Sequence, residues 1–130
     1  MDNTDEKKKI LAVDDDETQL TILKTILSVE YNVITAESGK QAVEHLYSGF
    51  IPDLILLDII MPEMDGFEVF NRIRAISELQ KIPIAFLTSV SGAAEMQQAW
   101  DIRAVDYITK PYSKENLLRR IHNALKQGTS

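Results

Sequence analysis

The run Leu54-Ile55-Leu56-Leu57-Asp58 decides how the rest of the chain is read. Successive side chains of a strand point to opposite sides, so four aliphatic residues in a row need cover on both faces. A strand of that kind belongs inside a parallel sheet sandwiched between helices. Pro52 stands just ahead of it, where a missing N–H does little harm. The run ends on a carboxylate, Asp58, which is costly to bury unless it is paired.

The same pattern recurs on either side. Residues 10–13 and 84–87 are also continuous apolar runs, the second introduced by Pro83, while 33–34 and 107–108 are shorter. Helical patterns with start signals lie between them. Asp16-Glu17-Thr18-Gln19 reads as a capping box ahead of Leu20, Leu23 and Leu27 on one face. Ser38 to Gln41 repeats the signal before Ala42, Val43 and Leu46, and Asp65 to Glu68 does so before Phe70 and Ile73. Ser91 is the expected cap of a helix carrying Ala94, Met96, Ala99 and Trp100, the tryptophan partly buried. Ser113 is the expected cap of the last helix, with Leu117, Ile121, Ala124 and Leu125 turned inward. Five strands alternating with five helices predict an α/β fold, a doubly wound five-stranded parallel sheet with right-handed crossovers.

In such a sheet the carboxyl ends of the strands share one edge, where ligands bind. The predicted strands are followed by Asp14 and Asp15, by Asp58, by Thr88 and Ser89, and by Thr109 and Lys110. Three carboxylates at one edge repel one another, which either raises their proton affinity or calls for a cation. With no His or Cys nearby the donor set suits a hard ion, Mg²⁺ best, with Mn²⁺ as a substitute. A divalent ion, a lysine and a hydroxyl around one carboxylate make a phosphoryl-transfer site with the carboxylate as nucleophile. Taken singly, Asp14 or Asp15 reads as a turn or cap residue, Thr88 as a loop hydroxyl and Lys110 as a surface charge. The weight lies in their coincidence at four strand ends.

Composition sets the outer bounds. The 130 residues suit one domain, 45% of them are apolar, and the lack of cysteine removes disulfides and thiolate metal sites. Fourteen basic against twenty acidic side chains give a net charge of −6, which argues against direct nucleic-acid binding. No run approaches the roughly 20 apolar residues of a membrane span, and the charged N-terminus is no secretory signal, so a cytoplasmic location is expected. His45 and His122 have no partner at metal-ligand spacing and read as surface or packing residues.

These residues resemble the receiver domain of two-component response regulators over about Lys8 to Lys126, leaving 1–7 and 127–130 as tails. The resemblance rests on residues 10–16, on Leu57-Asp58-Ile59-Ile60-Met61-Pro62-Glu63-Met64-Asp65-Gly66, on 86–89 and on Asp106-Tyr107-Ile108-Thr109-Lys110-Pro111. It implies the CheY-like strand order 2-1-3-4-5, one of the two common orders of doubly wound sheets. It further implies Asp58 as phosphoacceptor. Asp15 would hold Mg²⁺ directly, Asp14 mainly through water, and the Ile60 backbone carbonyl would be a further ligand. Thr88 would hydrogen-bond the phosphoryl group, Lys110 would pair with it, and Tyr107 would swing inward with Thr88. The Lys110–Pro111 bond is a candidate for cis. The implied donor is a phosphohistidine on a sensor histidine kinase or a phosphotransfer protein. The implied output face is the fourth helix, fifth strand and fifth helix, through which a homodimer could form and a downstream target be met. Ile60 and Val90, both unable to orient water, suggest a slow loss of phosphate.

Three positions depart from the family pattern. Ser89 stands where alanine is usual, Val105 where an acid is frequent, and Arg103 where glycine is common. If the turn at Arg103 needs a positive φ, arginine is strained there. Two other classes compete. A haloacid-dehalogenase-type phosphatase would want an Asp two residues after the nucleophile, and Ile60 is there. A flavodoxin-like carrier would want a hydroxyl- or glycine-rich loop after the first strand rather than Asp14-Asp15-Asp16. A degenerate receiver acting as scaffold is disfavoured, because all five polar residues are present.

Overall fold

A computed structural model describes residues 7–128. The elements run β1 (Lys9–Val13), α1 (Glu17–Leu27), β2 (Asn32–Ala36), α2 (Gly39–Tyr47), β3 (Leu54–Leu57), α3 (Gly66–Arg74), a 3-10 turn (Ser77–Leu79), β4 (Ile84–Thr88), α4 (Ala93–Asp101), β5 (Asp106–Thr109) and α5 (Lys114–Gly128). The five strands form one parallel sheet in the order β2-β1-β3-β4-β5. The expected topology is therefore present, and the 3-10 turn is an addition to it.

Alternate strand residues go to opposite faces, and both faces are apolar. Leu11, Val13, Ile55, Leu57, Ile84 and Phe86 pack with residues of α2, α3 and α4. Ile10, Ala12, Leu54, Leu56, Ala85 and Leu87 pack with residues of α1 and α5. This two-sided burial is why β1, β3 and β4 read as unbroken apolar runs. β2 is the exception: it lies at the sheet edge and alternates buried Val33 and Ala36 with exposed Asn32 and Ile34. Its five residues were legible only as a weak pair, because an edge strand needs cover on fewer positions.

Most helix starts follow the sequence signals. Asp16 accepts from the Thr18 and Gln19 N–H groups, Ser38 from Gln41 and Asp65 from Glu68. Ser113 accepts the Asn116 N–H at 3.1 Å, as its cap role requires. α4 corrects the expectation. Its cap is Gly92, not Ser91, and no side chain bonds the first turn. Only Ala99 of α4 is buried; Ala94 lies in solvent, and Trp100 is 49% exposed.

Two helix ends share one geometry with different residues. After α2, Gly49 (φ 104°) bonds back to the Leu46 carbonyl while Phe50 bonds to that of His45. After α4, Arg103 (φ 68°) bonds to the Trp100 carbonyl while Ala104 bonds to that of Ala99. Both are Schellman closures, which place their middle residue in the left-handed region. Arginine adopts there what glycine adopts freely, so the turn does need a positive φ. Glu63 (φ 69°) is a second such residue, at the centre of a γ-turn in which Met64 N–H reaches the Pro62 carbonyl at 2.7 Å. Nothing in the sequence announced it. The Lys110–Pro111 bond is cis.

Candidate functional site

The carboxyl edge of the sheet is held in register one residue beyond the strands. Asp14 N–H bonds the Ala36 carbonyl at 3.1 Å, Asp58 N–H the Val13 carbonyl at 3.0 Å, and Lys110 N–H the Thr88 carbonyl at 2.9 Å. The chemistry-bearing residues thus inherit the rigidity of the sheet rather than of a loop. Ligand-capable oxygens of Asp14, Asp15 and Asp58 all lie within 4.8 Å of one another. Asp14 and Asp58 are buried at 6% and 8% exposure, while Asp15 is open to solvent.

Lys110 closes the arrangement. Its Nζ donates to Asp14 Oδ2 at 2.5 Å and to Asp58 Oδ2 at 3.4 Å. Burial works against the ammonium charge, but the bond to Asp14 and the negative charges of Asp58 and Asp14 outweigh it and hold the Lys110 pKa above the ordinary lysine value. The other carboxylate oxygens take backbone donors: Asp14 Oδ1 accepts Asp16 N–H at 2.9 Å, and Asp58 Oδ1 accepts Ile60 N–H at 3.4 Å. Three carboxylates against one ammonium leave the cluster short of positive charge. Oxygen-only donors, two of them fixed and one open to water, fit Mg²⁺, which binds through one or two carboxylates and keeps several waters.

The loop beneath Asp58 depends on Gly66. A Cβ there would stand 2.3 Å from the Asp58 carbonyl oxygen and 2.8 Å from the Ile59 Cα. Gly66 N–H bonds the Ile59 carbonyl at 2.8 Å, so the start of α3 sits directly on the backbone that presents Asp58.

Comparison with known proteins settles what this arrangement belongs to. Residues 10–122 match the family model of the response regulator receiver domain. The chain is a receiver domain. It is 40% identical over 121 residues to a probable cyclic di-GMP phosphodiesterase of Vibrio cholerae, covering 93% of this chain and 27% of that protein. It is 38% identical over 122 residues to the probable transcriptional regulator ycf27 of Guillardia theta, covering 93% of this chain and 46% of that protein. The chain therefore spans less than half of the length of these relatives. Among solved structures it is similar to the receiver domain of a signal transduction histidine kinase from Syntrophus aciditrophicus, with TM-score 0.81, 34% identity and coverage of 92% and 90% of the two chains. It is similar also to the Vibrio cholerae chemotaxis protein CheY4, with TM-score 0.82, 30% identity and coverage of 91% and 98%.

Receiver domains bind Mg²⁺ at such an acidic cluster, and in this receiver Asp14, Asp15 and Asp58 come together as the sequence suggested. Ile60 and Lys110 line the same cavity. Thr88 does not bond Asp58: it is fully buried, and its hydroxyl accepts the Val90 N–H at 3.3 Å. Tyr107 is also buried, its ring against Phe86, and its hydroxyl donates to the Val90 carbonyl at 2.6 Å. Both backbone polar groups of Val90, its N–H and its carbonyl, are thus held by Thr88 and Tyr107, the two residues expected to form the switch. Burial, reinforced by the charges of Glu95 and Asp58, raises the Tyr107 pKa, so the hydroxyl stays a donor. Arg120 of α5 clamps β5 through Asp106 at 2.8 Å.

Sequence reasoning overlooked the cavity's apolar lining. Ile22 and Ile26 of α1, with Tyr112 before α5, line it together with the acids. The available signal was two isoleucines of α1 lying off its core face of Leu20, Leu23 and Leu27. Among the described residues no helix is long and apolar enough to cross a membrane.

Proposed function

We propose that this receiver, over residues 8–126, takes a phosphoryl group onto Asp58 from a phosphohistidine of a sensor histidine kinase or phosphotransfer protein, in a Mg²⁺-dependent reaction. One observation carries the reading: Lys110 Nζ sits between Asp14 and Asp58, 3.4 Å from the proposed nucleophile. Attack on a phosphoryl group needs positioning and charge neutralisation more than proton transfer. Mg²⁺ or Mn²⁺, held by Asp14, Asp15, Asp58 and the Ile60 carbonyl, would supply the larger share of that neutralisation. Lys110 supplies the rest, and it is already aimed at Asp58. The Asp58 backbone is fixed by the bond of its N–H to the Val13 carbonyl, and its buried carboxylate is oriented by Ile60 N–H and Lys110 Nζ, a preorganised nucleophile.

The phosphoryl group would offer the Thr88 hydroxyl a strong acceptor and so a differential contact between two states. Thr88 and Tyr107 both hold Val90, so a shift of Thr88 acts on the loop that starts α4. That loop has no capping side chain to resist it. The face of α4, β5 and α5 would then change shape, to be read by a downstream protein or by a second copy of the chain. The exposed Trp100 and the half-buried Val105 give that face an apolar component. The regulator and phosphodiesterase names of the relatives suggest outputs joined to such a domain in those proteins. For this chain the proposal is a switching role in the cytoplasm; the net charge of −6 supports one without direct nucleic-acid contact, and Ile60 in place of a general acid supports one without turnover of an external substrate.

Incubation with acetyl phosphate, with and without Mg²⁺, followed by intact mass, tests the reading. Wild type should gain one phosphoryl group only with the metal, and Asp58→Asn none. Labelling that persists in Asp58→Asn would mean that another residue accepts.

A further inference from the structure

The cavity above the carboxylates is larger than a phosphoryl group requires. Its volume is about 670 Å³, within the roughly 300–1,000 Å³ of small-molecule sites. Its lining joins Asp14, Asp15, Asp58 and Lys110 to an apolar set of Ile22, Ile26, Pro111 and Tyr112, here called the shelf. Ile22 and Ile26 follow Gln19 at spacings of three and four, a stripe beside the core face of α1. Ile22 keeps 45% of its surface exposed although polar residues would serve the fold equally well there. Tyr112 is fixed from behind by packing on the core between the sheet, α1 and α5. An apolar shelf continuous with an anionic, cation-seeking floor suits a ligand with a phosphoryl head and a carbon body.

We infer that the shelf of Ile22, Ile26, Pro111 and Tyr112 receives the leaving group of a small organic acyl phosphate and selects donors whose leaving group carries a ring. The inference rests on Asp58 as acceptor. One Asp58 oxygen forms the new P–O bond as the P–O bond to the departing carboxylate breaks. The electron pair of the broken bond leaves with the carboxylate, and no proton moves. Attacking and departing oxygens lie on opposite sides of phosphorus. A donor attacked by Asp58 therefore carries its leaving group away from Asp58, into the rest of the cavity, whose apolar lining is the shelf. The methyl group of acetate covers little of it; a phenyl ring reaches across the isoleucines.

The test compares acetyl phosphate with benzoyl phosphate at saturating Mg²⁺, reading the initial rate of phosphoryl mass gain. Each rate is divided by that donor's own hydrolysis rate in the same buffer, and the ratio of the two is taken within each protein. Wild type should favour benzoyl phosphate by about 10-fold or more, the discrimination a small apolar contact gives. Ile22→Ser, an exposed position that leaves the core intact, should bring the ratio to within about 3-fold of unity. Ile26→Ser should lower it in the same direction. A wild-type ratio near one, or a ratio unchanged in Ile22→Ser, overturns the inference while leaving Asp58 as acceptor. Failure of both donors to label wild type overturns the acceptor reading and this inference with it.

Discussion

Replacing Lys110 by Met tests the charge balance of the site without any phosphoryl chemistry. The methionine keeps the length and apolar stem of the lysine and removes only the ammonium. That ammonium lies 2.5 Å from Asp14 and 3.4 Å from Asp58, among side chains exposed by 16%, 8% and 11%. At an effective dielectric of about 20 the two attractions are worth roughly 7 and roughly 5 kcal/mol. Desolvating three charged groups offsets most of this, and removing one partner of such a cluster typically costs about 3–5 kcal/mol. The partial exposure of Lys110 puts the expectation at the lower end, about 3 kcal/mol. For a domain of this size that lowers the melting midpoint by about 10 °C. Urea unfolding in EDTA followed by circular dichroism measures the loss. Mg²⁺ should then restore more stability to Lys110→Met than it adds to wild type, because the ion replaces the missing charge and no ammonium competes with it for Asp14. If the variant is as stable as wild type in EDTA, or gains no more from Mg²⁺, the carboxylates are not in the strained balance described.

Four further outcomes are expected. Gly66→Ala should cost about 1–3 kcal/mol and slow labelling of Asp58, since the new methyl meets backbone; Gly92→Ala, which meets only the movable end of Glu95, should cost under about 1 kcal/mol in the same urea assay. Arg103→Gly should stabilise by up to about 1 kcal/mol by relieving its left-handed φ, measured as an upward shift of the urea midpoint. Ile60→Asn combined with Val90→Glu should hasten loss of phosphate from Asp58, and an unchanged decay of the phosphorylated mass would remove that idea. The raised Tyr107 pKa means a contribution to stability that is full below the unfolded phenol's value of about 10 and is lost as pH rises through the folded one. Wild type should therefore lose stability more steeply above that pH than Tyr107→Phe, and parallel curves would count against a buried neutral phenol.

The parts of the fold that were legible are those where one physical demand acts on several adjacent residues. β1, β3 and β4 must be apolar on both faces, and so they announce themselves as runs. Asp16, Ser38, Asp65 and Ser113 each satisfy a backbone donor at a helix start, a local task that local sequence expresses. α4 was misread because its demands are weak. One buried residue sets no strict period, and Gly92 caps it by backbone conformation alone, so Ser91 and Ala94 looked as suitable as their neighbours. Glu63 was invisible for a related reason: its γ-turn is imposed by the approach of α3 to the Asp58 loop, not by any preference of glutamate.

The candidate site divides in the same way. Asp14, Asp58 and Lys110 could be found because strand ends of a parallel sheet share one edge whatever the side chains are, so polar residues at those ends are brought near one another; Thr88, which turns into the core instead, shows that the edge alone does not aim a side chain. Residues on helices obey no such rule. Whether Ile22 faces solvent, core or the acids depends on how α1 is rotated over β1, and that rotation is set by Leu20, Leu23 and Leu27 seating in the core between the sheet and α5. Once that seating is fixed, the neighbouring stripe of Gln19, Ile22 and Ile26 has no freedom left: it forms the rim of the cavity that holds Asp58. Core packing on one face of α1 thereby determines what chemistry can approach the sheet edge on the other. Substitutions at Leu23, 4% exposed and remote from the acids in sequence, should alter donor discrimination only to the extent that they turn or displace the helix. Sequence positions with no polar atom at all are thus bound to the site through the geometry of one helix.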